Sequence, residues 1–134
     1  MPYAEDTRVP VARTRAEIEA VLTKYGADQF VSGWTEEEAA IGFRIAGRQI
    51  TIKLPIDPKM SEQKKRSRWR ALFLIIKSKL VAIDSGITTL EREFLADVRM
   101  YDGRTVYEWA KPSIDKMYLE GKMPPLLPSG PKDI

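Results

Sequence analysis

Five cations crowd into one short stretch of the chain: Lys64, Lys65, Arg66, Arg68 and Arg70. They stand at the start of the longest helical pattern in the sequence, just after Ser61. Positive charge at a helix N-terminus opposes the macrodipole, and each cation there costs from a few tenths to about 1 kcal/mol. A phosphate at the same place meets both the side chains and the free backbone amides. Two readings follow. The run is a solvated basic turn, offset by Glu62 and by the acids Glu36 to Glu38, or it is an anion-binding surface. On a helical wheel Lys64 and Arg68 flank one edge of the apolar stripe, and Arg66 and Arg70 the other. Arg44 and Lys53, on the outer face of a predicted sheet, either extend that patch or are ordinary polar residues on a wet face.

Other chemistry finds few tools. The chain has no histidine and no cysteine. Disulfides, thiolate metal sites and histidine-dependent triads are therefore excluded. Asp57, Glu62, Asp84, Glu91, Glu93, Asp97 and Asp102 are scattered over different predicted elements and lack the paired spacing of a metal-dependent nuclease or a glycosidase. Carboxylate-bound magnesium remains open. Gly33, Gly42 and Gly47 belong to strands and a turn, so no glycine-rich phosphate loop is present. We expect no enzyme activity, no cofactor and no metal. Trp34, Trp69 and Trp109 can stack on bases, but Trp69 lies on an apolar helical stripe, and all three read as packed rather than functional.

The elements that position these residues can be read from periodicity. Ile18, Val21, Leu22 and Tyr25 recur at i, i+3, i+4 and i+7, a helical face. Thr14 with Glu17 reads as its capping box and Gly26 as its left-handed end. Gln29 to Trp34 reads as a strand, followed by an acidic turn at Thr35 to Glu38. Ala39, Ile41, Phe43 and Ile45 alternate, Ala46-Gly47 turns, and Ile50, Ile52 and Leu54 alternate again. A two-residue loop pairs Ile45 with Arg48, Phe43 with Ile50 and Ile41 with Ile52. One face is then apolar, and the other carries Arg44, Gln49, Thr51 and Lys53. Pro55 and Pro58 end the strand. Trp69, Leu72, Phe73, Ile76, Leu80 and Ile83 keep helical spacing to Gly86. Thr88 with Glu91 reads as a second capping box, opening a short helix that buries Leu90, Phe94 and Leu95. Val98 to Tyr101 reads as extended and Asp102-Gly103 as a turn. Thr105 with Glu108 reads as a third capping box, and Pro112 is expected to kink or restart the helix that follows.

This order predicts an α+β fold: an α-β-β-β-α core, a three-stranded antiparallel sheet covered by two helices, with a helical C-terminal extension. With 134 residues, 43% apolar and 31% charged, the chain fits one globular domain. Its core is expected over 12–86, the helical extension over 87–123 and an irregular proline-rich tail over 124–134. The longest apolar run, Ala71 to Ile76, is too short to span a bilayer. The charged residues among the first ten do not fit a secretory signal. These features predict a cytoplasmic protein with no membrane partner. A net charge of +3 is mildly basic, so the placement of charge carries more information than its sum.

The segments YGADQFVSGW, GRQITIKLP, RWRALFLIIKSKLVAIDSGITTLEREFLADV, DGRTVYEWAKP and GKMPPLLP resemble a group of small, uncharacterised proteins of tailed phages and prophages. The resemblance spans nearly the whole chain. It implies origin rather than mechanism, placing the protein in a bacterial host's cytoplasm and pointing to nucleic-acid transactions or interference with a host protein. The α-β-β-β-α order, with Lys64, Lys65 and Arg68 opening the second helix, is also similar to the double-stranded RNA-binding domain, whose corresponding helix start grips phosphates. Here TEEE at Thr35 to Glu38 replaces that family's Gly-Pro and histidine, and would repel phosphate. The order is loosely similar to Rad52-like annealing proteins as well. The expected function is a non-enzymatic nucleic-acid-binding accessory protein using Lys64, Lys65, Arg66, Arg68 and Arg70, with Arg44 and Lys53. The alternative is a protein that binds and modulates a host or defence protein. A homo-oligomer remains open.

Overall fold

Alternation between Ala39 and Leu54 builds the centre of the fold. In the computed structural model, which describes residues 7–123, strand β1 (Gln29–Trp34), β2 (Glu38–Ile45) and β3 (Arg48–Pro55) form one antiparallel sheet in the order β1-β2-β3. Ile45 faces Arg48, Phe43 faces Ile50 and Ile41 faces Ile52, the register expected from a two-residue loop. Ala46 and Gly47 both take positive φ, 50° and 76°, as the loop's twist requires. The proline-rich tail expected over 124–134 lies outside the described residues.

Two long helices cover the apolar sheet face. Helix α1 (Val11–Lys24) buries Ile18 and Leu22, and helix α2 (Glu62–Asp84) buries Trp69, Leu72, Phe73, Ile76 and Leu80. These side chains join Ile41, Phe43, Ile45 and Ile50 in one core cluster. Ile52 is only half-buried, because β3 is an edge strand and Ile52 stands beside a groove. The helices run parallel. Gln63 donates to the Thr7 carbonyl, Arg15 lies over Trp69, and Arg70 pairs with Glu17, so contacts advance together along both chains. Both helices therefore begin at the same end of the sheet, beside the β1–β2 turn.

Helix α1 starts a turn earlier than its sequence suggests. Pro10 occupies the N-cap position with no side-chain cap, and its carbonyl accepts from the Thr14 amide at 3.1 Å. The helix therefore begins ahead of Thr14, and the expected Thr14–Glu17 capping box does not form. Thr14 is instead buried inside the helix with its hydroxyl unpartnered. Glu17 turns to Arg70 at 3.1 Å and to Arg13 at 3.5 Å. Gly26 follows at φ 106°, the left-handed end expected there.

The extension begins with α3 (Leu90–Phe94) and a 3-10 turn at Leu95–Asp97. Its cap is Thr89, not Thr88: Thr89 accepts from the Arg92 amide at 3.2 Å, while Thr88 donates to Glu93 and Glu91 pairs with Arg48. The shift lets Phe94 enter the core edge-on to Phe43, with ring centroids 5.7 Å apart. Leu95, expected to be buried, is 52% exposed because the chain tightens into the 3-10 turn at that residue. Extended pairing beyond it is confined to Val98, bridged to Ile50, and Arg99, bridged to Thr105. The Arg99 backbone amide donates to the Gln49 carbonyl at 2.7 Å and so covers part of the β3 edge. Helix α4 (Val106–Glu120) opens on the complete Thr105–Glu108 capping box. It continues through Pro112 without a break, and Pro112 stands on an exposed face. No helix among the described residues is long and apolar enough to cross a membrane.

Candidate functional site

The seven basic residues singled out by sequence go to four different surroundings. Ser61 caps α2 by accepting from the Lys64 amide at 3.1 Å, which fixes the helix start and projects the Lys64 side chain into solvent. The Lys65 ammonium lies 3.5 Å from Glu62, a distance that leaves the pair loose. Arg66 donates to the Gln63 side chain at 2.7 Å, while its Nε is buried without a partner. These three residues occupy the open end of the fold.

Arg68 and Arg70 diverge from each other, as the helical wheel requires. Arg70 turns toward α1, paired with Glu17 at 3.1 Å and stacked 4.5 Å from the centroid of Phe73. It is a tie between helices. Arg68 turns the other way and lines a groove of about 330 Å³ between α2, β3 and the 3-10 turn, together with Lys53, Lys79 and Asp97. Burial holds the Asp97 carboxyl above its ordinary range, with Lys79 pulling weakly the other way.

On the outer sheet face Arg44 is committed to Asp28 through two parallel hydrogen bonds of 2.9 and 2.7 Å. That fork lowers the Asp28 carboxyl and raises the Arg44 guanidinium. Lys53 is committed to Glu108 at 2.8 Å. The strands between them carry Val31, Gly33, Ala40, Gly42 and Thr51, and the exposed Tyr107 of α4 stands beside Thr51 and Lys53 at their edge. The structure thus brings Lys53 and Arg68 to one groove and leaves Arg44 apart from the helix start.

Sequence reasoning missed a cavity at the open end. About 430 Å³ in volume, it lies between the starts of α1 and α2 and the β1–β2 turn. Val11, Ala39, Ile56 and Pro58 give it apolar walls, and Arg15, Lys65, Glu36 and Glu62 its polar rim. Trp69 forms part of the lining as a core residue at 3% exposure, with the Arg15 guanidinium 5.9 Å from its ring centroid. Trp34, expected to be packed, is 73% exposed at the end of the edge strand β1. Trp109 is half-buried. Arg15 could have been found by noting that two helices flanking a meander of three strands must run parallel, which puts their basic first turns side by side.

Among the described residues, no three acidic side chains converge as a metal would require. Compared with known proteins, the chain matches no family model, no curated protein sequence and no solved structure.

Proposed function

We propose that this chain is a non-enzymatic nucleic-acid-binding protein that holds the phosphate backbone at the end where α1 and α2 begin. One observation carries the reading: Lys64, Lys65 and Arg66 of α2 share that end with Arg15 of α1, and among the described residues the one carboxylate within pairing distance of them is Glu62, at 3.5 Å. Two helix N-termini add their partial positive charge there. Arg44 and Lys53 fall outside the proposed contact surface, since each is already neutralised by an acid. The resemblance to small phage proteins favours an accessory role in phage nucleic-acid transactions.

The test is a binding titration with single- and double-stranded DNA and RNA across salt concentrations. Three or four phosphate contacts on duplex DNA give a slope of log affinity against log salt of about −3 to −4. Replacing Lys64, Lys65 and Arg66 together by glutamine should flatten that slope and weaken all sequences alike. The same change should leave stability equal or slightly raised, because these cations oppose the helix dipole. Absence of any binding at about 50 mM salt, where such contacts are strongest, would overturn the reading.

A protein partner is the second reading, favoured by α4. Its Ile114, Tyr118 and Leu119 are exposed, and no residue of that helix is fully buried. Exposed apolar side chains grouped on one short element suit contact with another protein.

A further inference from the structure

The cavity at the helix starts has a composition that phosphate binding alone does not call for. Phosphates need cations and amides, whereas this cavity is walled by Val11, Ala39, Ile56 and Pro58 and bordered by two indoles. Trp69 belongs to the core, but Trp34 leaves 73% of its surface in water at the cavity edge. A large aromatic side chain held there forgoes the burial that usually stabilises tryptophan. Its ring is available to stack on a flat partner.

We propose that this cavity receives one unpaired nucleobase, which makes single-stranded nucleic acid the ligand of this end. The inference rests on the phosphate-binding reading above and adds the class of strand. A base has two apolar faces and a polar edge, matching apolar walls with a polar rim. In a duplex both faces are already stacked, so only an unpaired base can enter. The volume, about 430 Å³, lies in the range of sites for small molecules, roughly 300 to 1,000 Å³.

The charges set the direction of approach. Lys65 and Arg15 border the cavity on the helix side beside Glu62, whose pair with Lys65 is loose at 3.5 Å, and Lys64 and Arg66 adjoin Lys65 in the first turns of α2. Glu36 borders it on the turn side, in an acidic stretch with Glu37 and Glu38. Phosphates are drawn along the helix starts and repelled from the turn. The base then points toward the turn, where the Glu36 carboxylate can accept from an exocyclic amine. The TEEE sequence, unfavourable for a duplex backbone, suits a strand that enters base first.

The experiment uses three ligands of equal length: a single-stranded oligonucleotide, the same strand in a duplex, and an abasic strand that keeps its phosphates. Binding is followed by tryptophan fluorescence and by anisotropy of a label on the nucleic acid. The single strand should quench tryptophan emission and bind tighter than the abasic strand by about tenfold or more, the size expected of one stacked base. Trp34→Ala should remove that preference while leaving the abasic strand's affinity unchanged, and Trp34→Phe should retain most of it. Because Trp34 is exposed, a thermal melt of Trp34→Ala should match that of the wild type. Equal binding of all three ligands, insensitive to Trp34→Ala, would overturn the base site and leave the phosphate reading standing. No binding of any of them at about 50 mM salt would overturn both.

Discussion

Glu108 holds two parts of the fold with one carboxylate. It accepts from the Thr105 amide at 2.9 Å, closing the cap of α4, and from the Lys53 ammonium at 2.8 Å, anchoring that cap to β3. These hydrogen bonds, Lys53 first, hold its carboxyl down at about 2 from the ordinary 4.5. Between those values the carboxyl is ionised in the fold and protonated in the unfolded chain, so the unfolded state binds more protons. Its contribution is complete above pH 4.5 and is lost as pH falls toward about 2. Glu108→Gln should lower the melting temperature at pH 6, and the gap to wild type should close as pH approaches 2. A gap of constant size in melts at pH 6, 4 and 3 would show that the charge is not what matters.

Asp97 should behave in the opposite sense. Burial raises its carboxyl pKa from 3.8, so the folded state binds the extra proton above that value. Stability from this group is full below pH 3.8 and is lost as pH rises through the folded value. Asp97→Asn should therefore raise the melting temperature at pH 7, and the gain should vanish below pH 3.8. A lower melting temperature at pH 7 would mean that the charge is stabilised by the groove it shares with Lys79 and Arg68.

Thr14 offers a simpler test of polar burial. Its hydroxyl is enclosed and unpartnered, and an unsatisfied buried polar group costs about 1–3 kcal/mol. Thr14→Val keeps the shape and the β-branch. The urea midpoint should rise, by the equivalent of about 1 kcal/mol, with an unchanged m-value. A fall in midpoint would mean that the hydroxyl has a partner in solution.

The sheet face gives a graded pair. Ile50 is 1% exposed and lies in the core, whereas Ile52 is half-buried at the groove. Ile50→Ala should destabilise by about 2–5 kcal/mol, with Ile52→Ala near or below the bottom of that range. Equal losses in urea unfolding would contradict the edge position of Ile52.

What the sequence disclosed, and what it hid, follows the range of the interactions involved. The β2–β3 register was legible because a period of two and a two-residue turn fix it locally, and the Thr105–Glu108 box was legible for the same reason. The start of α1 was not, since Thr14 and Glu17 imitate a cap that Pro10 makes unnecessary. Tandem Thr88-Thr89 hid a one-residue shift that only the burial of Phe94 decides. The basic run and its two edges could be read, but not its surroundings, because Glu17 reaches Arg70, and Asp97 the groove of Arg68, from distant segments. Trp34 looked packed because its strand pattern gives no sign that β1 is an edge. The cavity beside it depends on two helices that meet only in three dimensions.

The parallel course of α1 and α2 has one more result. Antiparallel helices largely cancel each other's dipoles, while parallel ones add them. Two partial positive charges of about half a unit each therefore meet at one end, and an anion docked between the helix starts is held by both, within the first turn of each. That attraction should weaken as added salt shortens the screening length to about 8 Å at physiological strength.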